Sequence, residues 1–265
     1  MADWLGTCRA AVGDVRHVLE ELPERADREP VVGAGVGGDL TTAIDRAAER
    51  AIVERLRSTK ESFVLVSEEL GEEVIGAPSD LRVVLDPIDG SLNAKRGIPF
   101  FSISIALATG STMADVHFGY VYDFGSNEEW TSTRGEGAFL DGVRLDGDLP
   151  KEEIEILSFE ATRTGSVADK AGAVVGLARR LRIMGSLALS LCHLAAGRVD
   201  AVCSLKPARA VDIAAAQLLV RERGLTIELP DDRPFERAAL DVEGRSRVVA
   251  GASTEVCERL AAALA

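Results

Sequence analysis

The sequence predicts a mixed protein, α+β in its first half and α/β in its second. Three observations lead there. Two stretches near the start carry apolar residues at helical spacing. A run of short strands with a hairpin turn then occupies residues 63–145. Beyond residue 150, apolar strands alternate with helices, the signature of an α/β layer. The 265 residues suit one large domain or two small ones. The change of pattern divides them into 1–149, an N-terminal α+β part, and 150–265, a C-terminal α/β part.

Residues 4–24 set Leu5, Val12, Val15, Val18, Leu19 and Leu22 on one helical stripe. Residues 25–38 break the pattern, with Pro30 and four glycines between Gly33 and Gly38. They read either as a mobile functional loop or as an ordinary surface loop. Residues 41–56 are a helix with the stripe Ile44, Ala47, Ala48, Ala51, Ile52 and Leu56, and Asp45 lies in its first turns. Residues 63–66 form a strand ending at Ser67-Glu68-Glu69, and 70–80 a loop. Residues 83–85 are a buried strand that Pro87 should stop, because proline cannot donate to a sheet ladder. Residues 100–108 alternate Ser102, Ser104 and Ala106 against Ile103, Ile105 and Leu107. Strands at 116–122, 129–133 and 138–145 continue a meander, the last folded back at Asp141-Gly142. The second half reads as strand 154–159, helix 166–179, strand 182–184, helix 187–196, strand 199–204, helix 211–223, strands 225–229 and 247–250, and helix 254–264.

A hydrophobic content of 46% supports a real core, and no apolar run approaches the ~18–20 residues of a membrane span. The first residues lack the basic and apolar regions of a signal peptide, so a cytoplasmic location is expected. Cys8, Cys192, Cys203 and Cys257 are widely spaced without a C-x-x-C, which favours thiols over a zinc site. A Cys192–Cys203 bridge is compatible with the spacing. The formal charge of −13 argues against nonspecific binding to nucleic acid or to anionic membranes. An acidic protein that takes a phosphorylated small molecule must neutralise its site locally, and metal ions would do so.

The chemistry concentrates at Val83–Ser91, Val-Val-Leu-Asp-Pro-Ile-Asp-Gly-Ser. A buried strand leads straight into two carboxylates, Asp86 and Asp89. Gly90 permits a tight turn and Ser91 can cap the next helical turn. Two acids suit a hard cation, and free backbone N–H groups suit an anion. A divalent metal beside a phosphate uses both. Glu68 and Asp86 each end a short strand, so pairing of those strands would bring them to one sheet edge. Asp212 opens a helix, where an acid either ligates or simply complements the helix dipole. Glu68 and Glu69 can equally be a solvated strand end.

Taken together, these motifs resemble the inositol monophosphatase family of magnesium-dependent, lithium-sensitive sugar phosphatases. Residues 86–91 are similar to its D-P-[IL]-D-G-[ST] signature, Ser67-Glu68-Glu69 to the upstream E-E motif, and residues 212–216 to W-D-x-A-A-[GSA]. Residues 39–45 are similar to D-L-V-T-x-x-D. Residues 93–99, 118–122 and 182–186 look like the archaeal-type members that act on inositol 1-phosphate and fructose 1,6-bisphosphate. The resemblance implies a layered αβαβα sandwich, a cytoplasmic homodimer, and hydrolysis of a small sugar or polyol phosphate with two or three Mg2+ ions. It implies that Glu68, Asp86, Asp89, Asp212 and the Ile88 carbonyl hold the metal. Asp45 and Ser91 would orient the attacking water, with Glu68 assisting, and Asp89, Gly90 and Ser91 would meet the phosphate. Arg182, Ser186, Leu187, Lys206 and Arg209 match positions beside the substrate or supply local positive charge; solvated loop charges are the alternative for the last two. Arg96 is either structural or faces a second phosphate. The chain departs from the pattern in having Val211 where the signature has Trp, Ser91 for the commoner Thr, no lysine in the glycine loop, and a short 207–211 segment. A phosphatase for 3′-phosphoadenosine 5′-phosphate would share the metal residues, and a noncatalytic metal- or partner-binding relative is the alternative of another class.

Overall fold

The amphipathic stripe at the start of the chain becomes α1 (Trp4–Glu21), capped by Asp3, whose Oδ1 accepts from Gly6 N at 2.9 Å. The computed structural model describes residues 2–36, 40–160, 163–231 and 234–265. After α1 come α2 (Arg25–Arg28), β1 (Val31–Ala34), β2 (Leu40–Thr42), α3 (Ala43–Ser58), β3 (Phe63–Ser67), β4 (Gly71–Ile75), β5 (Leu81–Asp89) and α4 (Ser91–Arg96). A meander follows, β6 (Ser102–Thr109), β7 (Val116–Asp123), β8 (Glu129–Thr133), β9 (Gly137–Leu140) and β10 (Val143–Arg144). The second half comprises β11 (Ile154–Glu160), α5 (Thr164–Ala171), β12 (Ala178–Arg182), α6 (Leu187–Ala195), β13 (Ala201–Ser204), α7 (Ala210–Glu222), β14 (Thr226–Glu228), β15 (Val249–Gly251) and α8 (Thr254–Leu264).

These elements stack as a layered αβαβα sandwich. The first sheet has the order β10-β9-β8-β7-β6-β5-β3-β4, the second β12-β11-β13-β15-β14. Side-chain alternation assigns the layers. Phe63, Leu65, Val83, Leu85, Ile103 and Ile105 face α1 and α3. Val66, Val84, Ala106 and Ala108 face the other way, into a core shared with α6, α7 and the inner face of the second sheet. Leu157, Phe159, Cys203 and Val249 bury the outer face of that sheet beneath α8. Opposite α7 the first sheet carries small residues, Ala106 and Ala108 on β6 and Gly119 on β7, which lets an alanine-rich helix lie close. At Gly119 on β7, an added Cβ would stand 2.5 Å from the Ala215 carbonyl oxygen.

Four elements differ from the sequence expectation. Within 25–38, the chain forms α2 and then β1, whose Val31, Gly33 and Ala34 pair antiparallel with β2; the expected loop residues Gly37 and Gly38, and Asp39 after them, lie outside the described residues. Within 70–80, β4 pairs with β3 as an edge strand carrying Glu72 and Glu73, charges that suit an edge. The ladder of β5 does not end at Pro87: it resumes at Asp89, with a register shift that absorbs Pro87 and Ile88. The helix of 166–179 stops at Ala171, and β12 takes over from Ala178 as a parallel edge strand beside β11. Glycines at 172 and 176 interrupt the helical pattern there. All four cysteines are buried and free, so the Cys192–Cys203 bridge does not form. No helix among the described residues is long and apolar enough to cross a membrane.

Candidate active site

Parallel pairing of β3 with β5 sets Ser67 opposite Leu85, so Glu68 and Asp86 follow side by side where that pairing ends. Helix α7 brings the third acid. Asp212 forms a capping box with Arg209, its Oδ2 accepting from Arg209 N at 2.7 Å. Carboxylate oxygens of Glu68, Asp86 and Asp212 all lie within 4.8 Å of one another. Asp212 therefore caps its helix and faces the other acids at once.

The strand-end irregularity arranges the rest. Asp86 Oδ1 accepts from Ile88 N at 3.0 Å, and Ser91 Oγ donates to the Ile88 carbonyl at 2.9 Å. Asp89 Oδ2 is fixed by Ser186 Oγ at 2.5 Å and Ala188 N at 2.8 Å. Gly90 has φ 91°, and a Cβ there would press on the carbonyl oxygens of Gly185 and Phe100 at 3.1 Å. Both the left-handed backbone and the close approach require glycine. Asp45 sits in the capping box of α3, its Oδ2 accepting from Thr42 Oγ at 2.5 Å and Thr42 N at 3.2 Å. Its Oδ1 is buried with no hydrogen-bond partner among the described residues.

A cavity of about 280 Å³ joins these groups. Asp45, Glu68, Asp86, Ile88, Asp89, Gly90, Ser91, Leu187, Lys206, Arg209 and Asp212 all line it. Ser186 stands behind the wall, 1% exposed, holding Asp89. Arg182 lies outside the lining at the exposed end of β12, donating to the Leu181 carbonyl at 2.9 Å. Arg96 pairs with Glu29 at 3.0 Å, the structural alternative for that residue. Three polar lining residues, Lys95, Ser204 and Glu160, were not put forward as site residues by the sequence reading. Glu160 carried the same signal as Glu68 and Asp86, an acid at the exit of an apolar strand.

The electrostatics are those of a buried acidic cluster with one guanidinium among it. Burial raises the Glu68 carboxyl to about 8; the Arg209 guanidinium opposes the shift and Asp212 adds to it. Burial, then repulsion from Glu68 and Asp89, holds Asp86 well above the usual carboxylate range. Burial raises Asp89 to about 7 against the hydrogen bond from Ser186, with Asp212 contributing. Arg209, 5% exposed, donates to Glu68 and lies 3.6 Å from Asp212. Its burial disfavours the charge, but Asp212, Glu68 and Asp86 outweigh that and raise its pKa.

The inositol monophosphatase family profile matches residues 7–265. The chain belongs to the inositol monophosphatase family. A fructose-1,6-bisphosphatase/inositol-1-monophosphatase of Methanothermobacter thermautotrophicus is 31% identical over 268 residues, covering 97% of this chain and 95% of its own. The Nus factor SuhB of Salmonella typhimurium is 34% identical over 234 residues, 85% of each chain. Among solved structures, an inositol monophosphatase–fructose 1,6-bisphosphatase superposes with a TM-score of 0.85 at 27% identity, covering 99% of this chain and 100% of its own. The Thermotoga maritima inositol monophosphatase gives 0.76 at 26%, with 99% and 98% covered. The family membership makes the chain a phosphoric monoester hydrolase.

The residues present fit a hard divalent cation. The clustered donors are the carboxylate oxygens of Glu68, Asp86 and Asp212, and no sulfur or imidazole lies among the described lining residues. Glu68 and Asp86 are held with raised pKa values, which a cation would relieve.

Proposed function

We propose that this protein hydrolyses the phosphate monoester of a small sugar or polyol, inositol 1-phosphate or fructose 1,6-bisphosphate or both, with Mg2+ as cofactor. One observation carries the reading: three carboxylates converge within 4.8 Å beside a buried aspartate with an open oxygen, in a chain of this family. Glu68, Asp86, Asp89, Asp212 and the Ile88 carbonyl would hold two or three ions. When bound, Mg2+ supplies the positive charge that activates water and neutralises the phosphoryl group. Asp45, anchored by Thr42, turns its open oxygen to the attacking water and accepts its proton. Ser91, its proton given to Ile88, keeps oxygen lone pairs that can align the same water. Backbone N–H groups at Gly90 and Ser91 meet the phosphate oxygens. Leu187 flanks the alcohol portion, and Lys206 and Arg209 on the cavity wall would meet a distal phosphate, Arg209 only by giving up its contacts with Glu68 and Asp212.

On this reading residues 1–149 carry the phosphate site and most ligands, while 150–265 supply Asp212 and the substrate wall. A cytoplasmic, lithium-sensitive homodimer is the accompanying proposal. The test is a panel of sugar, polyol and nucleotide phosphates with and without Mg2+ and Li+. Asp89→Asn should lower Mg2+-dependent phosphate release by roughly 100-fold or more while the protein still melts cooperatively. Undiminished release in that variant, or release without any divalent ion, would refute the assignment. Preference for 3′-phosphoadenosine 5′-phosphate would move the reading to a nucleotide substrate. No release from any ester with excess Mg2+ would favour a noncatalytic binding role.

A further inference from the structure

We propose that Lys95 is a specificity-determining residue that takes a second anionic group on the substrate's alcohol portion, and so favours a doubly anionic ester over the monophosphate of the same alcohol; this rests on the phosphatase reading above. Lys95 lines the cavity from α4, the short helix that begins at Ser91. Residues four apart share a helix face, so Lys95 lies on the face of Ser91. Four residues rise by about 6 Å. The ammonium therefore stands a helical turn beyond the phosphate-binding turn at Gly90 and Ser91. Leu92 and Leu40, which also line the cavity here, are 63% and 66% exposed, so this side is its mouth.

The fold makes no use of the Lys95 charge. Lys95 has no hydrogen bond and no ion pair among the described residues. Arg96 beside it is held by Glu29 at 3.0 Å, and Arg209 by Glu68 and, at 3.6 Å, by Asp212. Acids are not scarce: the chain has 43 acidic residues against 30 basic ones, and Asp45, Glu68, Asp86, Asp89 and Asp212 line the same cavity. None of them pairs with Lys95, so its ammonium stands clear of the acidic floor. An anion meeting Arg209 must compete with Glu68 and Asp212, whereas one meeting Lys95 displaces nothing.

What would neutralise this lysine is a group brought in by the substrate. The ester phosphate is met at Gly90 and Ser91, and the flexible four-carbon stem of a lysine adds reach to the helical rise. The match is an anion several bonds away from that phosphate. The second phosphate of a sugar bisphosphate fits; the carboxylate of a two-carbon phosphorylated acid stands too close. Lys206 lines the cavity from the second half of the chain, and Lys95 adds a cation from the first.

A charge that merely complements the C-terminal end of α4 is the competing explanation, since Lys95 lies in its last turn. Steady-state kinetics on fructose 1,6-bisphosphate and fructose 1-phosphate separate the two, because these esters differ only in the second phosphate. Lys95→Gln should lower kcat/KM for the bisphosphate by roughly 5- to 20-fold, mainly through KM, the effect of losing one hydrogen bond to a charged group at a half-exposed site. For fructose 1-phosphate it should change by about twofold or less, because no contact to that ester is lost. Lys95→Arg should keep most of the bisphosphate rate, and Lys95→Glu should lose more of it than Lys95→Gln. The wild-type preference for the bisphosphate should shrink as ionic strength rises. No internal hydrogen bond is removed, so each variant should melt with the wild type. Equal losses on both esters, or no loss on either, would overturn the inference. So would a wild type that is active on inositol 1-phosphate yet does not prefer the bisphosphate to fructose 1-phosphate, and that result would leave the phosphatase reading standing. A wild-type protein that releases phosphate from no ester with Mg2+ would instead bring down that reading itself.

Discussion

At the scale of the residue, Asp45 is the helix cap to which the proposed function gives a reactive role. Thr42 binds one carboxylate oxygen twice, through its hydroxyl and its N–H, and leaves the other buried and open. A buried acceptor without a partner costs free energy, which a bound water would recover. Asp45→Asn keeps the shape and can keep the cap, but an amide cannot take a proton at neutral pH. Turnover should therefore fall by roughly 100-fold or more, with the melting temperature within a few degrees of wild type. Initial rates and thermal melts of the one variant check both halves; unchanged turnover would remove Asp45 from the proton path. Most of the site was legible at this scale, because Asp45, Glu68, Asp86, Asp89 and Asp212 stand at element boundaries that periodicity locates. Glu160 was passed over because a single acid after a strand says nothing until the neighbouring strand is known. Arg182 matched a motif, yet the shift of β12 toward the N-terminus leaves it outside the cavity lining.

At the scale of the element, the site depends on how closely α7 approaches the first sheet, since that helix carries Asp212. Small residues on β6, Gly119 on β7 and the alanines of α7 make the approach possible. Gly119→Ala would place a methyl 2.5 Å from the Ala215 carbonyl oxygen, with the Ser132 hydroxyl at 3.0 Å. Neither backbone can yield without shifting the helix. Overpacking of this kind costs about 1–3 kcal/mol, which at ~2–4 °C per kcal/mol lowers the melting temperature measurably. Differential scanning calorimetry with an activity assay should show both stability and Mg2+ affinity reduced; an unchanged melt would mean that the layer relaxes freely. Strands of this sheet were readable wherever alternation was strong, as in 100–108. β1, β2 and β4 were not, since their identity comes from pairing partners rather than from an apolar pattern of their own. The helix of 166–179 was read too long because its apolar spacing runs on past Gly172 and Gly176, although the helix ends at Ala171, and pairing with β11 draws Ala178 and Arg179 into a strand.

At the scale of the whole molecule, a chain of charge −13 buries its acids where its layers meet, and stability, pH and metal become linked. The folded protein raises Glu68 from 4.5 to about 8 and Asp89 from 3.8 to about 7, burial being the first cause in both. Between those limits the folded state binds more protons than the unfolded chain, so stability falls as pH rises. The contribution is fully present below about pH 4 and is lost through about pH 7 to 8, as the buried carboxylates ionise. Arg209 compensates only part of this charge, because its one guanidinium faces Glu68, Asp86 and Asp212 together. On the proposed function a divalent cation would bind the ionised form and remove the penalty. Three outcomes follow from the one linkage. In EDTA, the melting temperature should decline between pH 5 and pH 8. With saturating Mg2+ that decline should flatten. Calorimetric Mg2+ titration near pH 6.5 in buffers of different ionisation enthalpy should report proton release that disappears above pH 9. A metal-free melt that rises across the same interval, or Mg2+ binding that releases no protons at pH 6.5, would show that the acids are already ionised and that Arg209 alone neutralises them.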